Sequence, residues 1–196
     1  MNLLWGKKEL VFHQVTLYFD ADGLENVFAD KNNKTLRQTL AHRRYKKYEA
    51  VVVANYLEYL EWPLGKFLLH LKSSGDNFYL KFLNKYGDKR YCQFCIEDER
   101  FLYEMGLYVY TVSAKPQYIG RCRDSFKKRI NRGYGKIHPK NCYLDGQATN
   151  CHLNALIAEY QVQVALWVHV MDDKDMITRA EKGLIVKYNP PWNIAR

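Results

Sequence analysis

The chain has 196 residues, 47% of them hydrophobic, which excludes a chain too small or too polar to fold and leaves room for one sizeable domain or two small ones. A formal charge of +9 and a pI near 9.2 favour a polyanionic partner, nucleic acid before an anionic membrane surface. No stretch approaches the roughly 18 consecutive apolar residues needed to span a bilayer, so a membrane protein is not expected.

The opening "MNLLWGKKEL" lacks the apolar run of a signal peptide and predicts a cytoplasmic protein. Alternation and an Asp-Gly turn in "VFHQVTLYFDADGLENVF" suggest strands, and "KTLRQTLAHRRYKKYEAVVVANYLEYLEW" reads as helical. Within it, "HRRYKK" suits either a nucleic-acid backbone or a solvated helix face. "NFYLKFLNKYGDKRYCQFCI" reads as a hairpin, Phe78 to Leu83 against Tyr91 to Ile96, turning at Tyr86-Gly87-Asp88. The five cysteines are an odd number without a secreted framework, so reduced thiols are expected. Composition and charge shift near "EDERFLYEM", which places a boundary between an N-terminal region, 1–104, and a second domain, 105–196.

Beyond that boundary the pattern sharpens. "GLYVYTV" and "QYIG" form two strands around a turn at Ser113-Ala114-Lys115-Pro116, and Asp124 or Ser125 caps a helix through about Arg132. "LNALIAEYQV" suits a helix, "VALWVHVM" a strand, and "DMITRAEKGLIVKY" a last helix stopped by Pro190 and Pro191. This order predicts an α+β protein whose C-terminal part is a small α/β unit with a three-stranded sheet, preceded by a mixed α/β region.

Charge and burial single out particular residues. Between Arg121 and Lys140 the cations Arg121, Arg123, Lys127, Lys128, Arg129, Arg132, Lys136 and Lys140 face the single acid Asp124. Arg121, Arg123, Lys127, Lys128, Arg132 and Lys140 are the candidate nucleic-acid contacts. In the last helix, at about 100° per residue, Ala180, Leu184, Ile185 and Tyr188 make an apolar stripe, and Glu181 projects inside it. A carboxylate shielded from water needs a cation or a metal; Arg129 or Lys182 could serve as a purely structural partner.

Together these residues resemble the GIY-YIG nuclease superfamily. Its first motif appears as "GLY" with Tyr108, its second as "YIG" with Tyr118, its helical arginine as Arg129 in "FKKRI", its acid as Glu181 and its closing asparagine as Asn193 in "NPPWN". The likeness covers about Gly106 to Arg196, and the ending is similar to that of phage-encoded members. It implies an α/β sandwich with a three-stranded mixed sheet flanked by helices. It further implies a metal-dependent DNA endonuclease with one divalent ion, Mg²⁺ or Mn²⁺, on Glu181, and catalytic residues Tyr108, Tyr118, Arg129, Glu181 and Asn193.

Hydrolysing a phosphodiester needs a deprotonated water, neutralised phosphate oxygens and a stabilised leaving oxygen. Arg129 offers a fork to the phosphate, and a phenol becomes a base where cations favour its phenolate, a field the cationic run is expected to supply. The two tyrosines are interchangeable in this role, and Asn193 is expected to fix the loop beside Glu181. Many members carry His or Tyr four positions after the arginine; here that position is Gly133, with Tyr134 one later, so Tyr134, Lys136 and His152 are the auxiliary candidates. The expected substrate is DNA, cut by restriction, by host-DNA degradation or by nicking, and a homodimer suits the restriction-like case. The other class consistent with the sequence is a non-catalytic nucleic-acid-binding protein with the same fold.

Overall fold

A computed structural model describes residues 1–194; the last two residues of the expected C-terminal domain lie outside the described residues. In chain order the first elements are strands β1 (Asn2–Trp5), β2 (Lys8–Val11), β3 (His13–Val15) and β4 (Tyr18–Leu24), then helices α1 (Leu36–Leu40), α2 (Glu49–Asn55) and α3 (Leu64–Ser73). Strand β5 (Tyr91–Cys95), helix α4 (Glu99–Leu102), strands β6 (Gly106–Val112) and β7 (Lys115–Cys122) and a π-helix (Lys127–Tyr134) follow. Helix α5 (Ala148–Glu159), strand β8 (Val164–Val170) and helix α6 (Lys174–Tyr188) complete the chain. The protein is α+β, with small antiparallel sheets, and among the described residues no helix is long and apolar enough to cross a membrane.

The chain forms two compact units that do not follow a cut at residue 104. The first gathers Met1–Gly23, Cys92–Lys136 and Leu156–Arg196; the second gathers Leu24–Tyr91 and Ile137–Ala155. The N-terminal strands therefore belong with the C-terminal motifs, and a piece of the C-terminal half belongs with the N-terminal helices.

The first unit is built on a sheet of order β3-β8-β6-β7. It is four-stranded and antiparallel throughout, not three-stranded and mixed, because His13–Val15 adds an edge beside β8. The β6-β7 connection is a two-residue turn with both Ser113 and Ala114 at positive φ, the geometry that matches the twist of paired strands. Strand alternation sends Leu107, Val109 and Ile119 to one face, where they pack on Ile177, Ala180 and Leu184 of α6 and on Leu3 and Leu10 of the β1-β2 hairpin. The hairpin is also tied to the end of α6: Leu4 N–H donates to the Tyr188 hydroxyl at 2.8 Å, and Lys187 Nζ donates to Leu4 O at 3.1 Å.

The second unit is helical, its core drawn from Phe28, Leu36, Val52, Leu64, Phe67 and Phe82 among others. Thr35 opens α1 with a reciprocal capping box to Gln38. The segment 137–155 closes this core: Tyr143 is fully buried and donates its hydroxyl to Phe28 O at 2.8 Å, while Asn84 N–H donates to Cys142 O at 2.9 Å. The hairpin expected across 78–96 does not form. Asn77–Phe82 is a 3-10 helix that buries Tyr79 and Phe82, and β5 pairs instead with β4.

Candidate active site

Two glycines of the motifs are dictated by space. Gly106, at φ +151°, begins the central strand β6, and a Cβ there would lie 2.0 Å from His169 O, so only glycine fits. Gly120 sits opposite Tyr108 in the β6-β7 ladder, and a Cβ there would lie 2.4 Å from the Tyr108 Cζ and hydroxyl. The missing side chain of Gly120 is the space into which the Tyr108 ring folds.

Tyr108, Tyr110 and Tyr118 share the sheet face opposite α6, and Tyr134 comes to them from the π-helix. The Tyr108 and Tyr134 hydroxyls are 2.8 Å apart, those of Tyr118 and Tyr134 are 3.4 Å apart, and the Tyr108 and Tyr118 rings stack with centroids 6.1 Å apart. Tyr134 is thus the hub of a three-hydroxyl network. The π-helix explains why the residue five positions after Arg129 takes this place. Its turns close by i to i+5 bonds, such as Gly135 N–H to Ile130 O at 2.7 Å, and absorb one residue more than an α-turn. Ser125 supplies the expected cap, its Oγ accepting from Lys128 N–H at 3.3 Å. Arg129 is exposed on this helix, with its guanidinium 5.8 Å from the Tyr134 ring centroid.

Burial governs the phenols. Tyr108 and Tyr110 are pushed well above the usual phenol pKa by loss of solvent and then by neighbouring phenols; Arg129 only partly opposes this at Tyr108. Tyr118 is raised for the same first reason, and the nearby Glu181 charge adds to it. The cationic run therefore does not hold either motif tyrosine as a phenolate in the free protein; the desolvation of fully buried rings outweighs it. Among the described residues the Tyr110 hydroxyl has no hydrogen-bond partner, a desolvation cost of about 1–3 kcal/mol that the fold carries.

Glu181 lies where the helix pattern places it, with its side chain 16% exposed. Its partner is Arg121, whose Nη1 is 2.5 Å from Oε2, rather than Arg129 or Lys182. Burial raises the carboxyl pKa, while first Arg121 and then Arg129 pull it back. Among the described residues no group of three or more His, Cys, Asp or Glu could hold a metal ion. A hard cation here would have a single protein carboxylate and take its other oxygens from water and substrate, which the chemistry of Mg²⁺ permits.

Asn193 clamps the edge of the sheet. Its Oδ1 accepts from Ile119 N–H at 3.0 Å and its Nδ2 donates to Ile119 O at 2.8 Å, so one side chain supplies both bonds that a further strand would give β7. Asn193→Ala leaves both buried backbone groups unpaired and is expected to destabilise the protein by about 1–3 kcal/mol, read from urea denaturation. Of the remaining predicted residues, Lys136 is exposed in the first unit, whereas His152 belongs to the second unit, its ring 4.4 Å from that of Tyr86. Lys128 pairs with Asp124, and Lys127 donates to the Tyr103 hydroxyl at 3.4 Å. Arg123 and Arg132 are exposed on the first unit and Lys140 on the second.

No protein-family model, curated protein or solved structure matches the chain.

Proposed function

We propose that the protein is a metal-dependent endonuclease of the GIY-YIG type that hydrolyses phosphodiester bonds in DNA. The observation that carries this reading is the convergence of three tyrosine hydroxyls on one network beside Arg129 and a half-buried Glu181. A core needs none of these polar groups, and together they match what phosphoryl chemistry requires.

Glu181 would hold Mg²⁺ or Mn²⁺ through its carboxylate. Such an ion supplies positive charge that acidifies a bound water and neutralises phosphate oxygens. Arg129, exposed and forked, binds the scissile phosphate. Because burial keeps Tyr108 and Tyr118 protonated, either would accept a proton from water only while passing its own to Tyr134, which in turn gives its proton to the departing oxygen of the phosphodiester. Tyr134 thereby takes the shuttling role among the auxiliary candidates. Asn193 acts from behind, by holding the strand that carries Tyr118.

Supercoiled plasmid incubated with Mg²⁺ or Mn²⁺, with a chelator control and with Arg129→Ala alongside, tests the reading. Nicked or linear product that disappears with chelator, and falls about 10²-fold or more in the variant, is the expected result. A second reading, a non-catalytic nucleic-acid-binding protein, is favoured by the closed Arg121–Glu181 pair. Salt-sensitive DNA binding with every plasmid form left intact would replace the first reading by the second.

A further inference from the structure

The two units differ in charge in a way that position along the chain hides. The first unit carries 16 basic and 13 acidic residues, the second 14 and 8, so two thirds of the net +9 belongs to the unit without the tyrosine network. Several acids of that second unit are already satisfied internally. Asp88 pairs with Lys72, Glu61 with Arg37, and Asp76 and Asp145 accept from the Tyr56 and Tyr45 hydroxyls at 2.6 Å. The two ion pairs each take up one cation with one acid, so the unit keeps its net excess of six positive charges.

Cations from three separate segments meet around Tyr143. Lys31 Nζ lies 4.4 Å from the Tyr143 ring centroid, and Arg44 Nη1 donates to Leu144 O at 2.5 Å. Partial burial lowers the pKa of Lys31, the Asp145 carboxylate opposes this, and the exposed Lys34 and Lys140 stand close enough to add smaller repulsions; Asp145, which also accepts from the Tyr45 hydroxyl at 2.6 Å, is the one acid set among these cations. Four cations with one acid among them leave a local positive excess that an anion bound there would neutralise. Neither Lys34 nor Lys140 has an ion-pair partner among the described residues.

We propose that the face of the second unit formed by Lys31, Lys34, Arg44 and Lys140 is a phosphate-docking surface for duplex DNA. It rests on DNA being the substrate, and it assigns to the second unit the task of holding the duplex while the first performs the chemistry. Contacts of this kind position the backbone without reading bases, so the surface contributes affinity and salt dependence but no sequence preference.

The test is a salt titration of binding to a fluorescein-labelled random 30-bp duplex, without divalent ions. The unmodified protein is compared with Lys31→Gln/Lys34→Gln/Lys140→Gln and with the charge-matched control Lys66→Gln/Lys81→Gln/Lys85→Gln, all of verified thermal stability. The first triple is expected to lower the slope of log affinity against log salt by about 2–3, and to bind roughly tenfold to a hundredfold more weakly at 0.15 M salt; the control is expected to change either far less. Equal losses in both triples, or no loss in the first, overturn the proposal. Plasmid cleavage at saturating protein separates the two ideas. Cleavage with unchanged binding sinks the surface and leaves the nuclease standing, whereas loss of slope without cleavage by the unmodified protein keeps the surface and sinks the nuclease.

Discussion

Glu181→Gln is expected to reduce DNA cleavage by a hundredfold or more while leaving the protein at least as stable at pH 8 as the unmodified chain. The two halves of this expectation have one cause. Folding takes the carboxylate into a site where its side chain is 16% exposed, and its pKa rises through burial even though Arg121 and Arg129 pull the other way. A carboxyl whose folded pKa exceeds its unfolded value contributes stability below the unfolded pKa, and that contribution is lost as pH rises through the folded pKa. The neutral glutamine does not lose it. Arg121, with a side chain 36% exposed, can turn to water when its partner is replaced and is not left as a buried orphan charge. Melting temperatures measured from pH 4 to pH 8 should therefore show the variant gaining on the unmodified protein as pH rises, while the plasmid assay shows activity gone. A fall in stability of several kcal/mol that tracked the loss of activity would instead make Glu181 a structural ion-pair partner.

The candidate site was largely legible because each of its parts follows a local rule. The strand pattern of "GLYVY" and "QYIG" places Tyr108 and Tyr118 on two strands around a turn, and a helical count places Glu181 inside an apolar stripe; the structure pairs the strands and half-buries Glu181 on α6. Charge alone places Arg121 in the cationic run, although alternation along β7 sets it with Ile119 on the side of α6, where it meets Glu181. Tyr134 was offset by one residue from an α-helical expectation because the extra residue is taken up by a π-turn, a feature that side-chain pattern does not announce. The N-terminal region is less legible because its strand pairings are long-range. Tyr91–Cys95 looked for a partner nearby and found Tyr18–Leu24, some seventy residues earlier, while His13–Val15 is too short to show alternation. Tyr79 and Phe82 are the buried pair of Asn77–Phe82, a spacing of three that belongs to a tight helix and not to a strand.

Gly120→Ala carries the other large expected effect, and it tests whether the tyrosine network is a built device or a core that happens to contain phenols. The added methyl would begin 2.4 Å from the Tyr108 Cζ and hydroxyl and 2.7 Å from Cε2, inside any allowed contact. Tyr108 cannot swing away freely, since it is 1% exposed and enclosed by the rings of Tyr110, Tyr118 and Tyr134. Overpacking of this kind costs about 1–3 kcal/mol, and the Tyr108–Tyr134 hydrogen bond is lost with it. A melting temperature lowered by roughly 3–10 °C is expected, with cleavage down at least tenfold at temperatures where the variant is still folded. Combining it with Tyr108→Leu removes the obstructing ring, so the double variant should be more stable than the two single losses predict. Cleavage should not recover, because the hydroxyl that meets Tyr134 is gone. If stability and cleavage returned together in the double variant, Tyr108 would be packing alone, and the general-base role would pass to Tyr118.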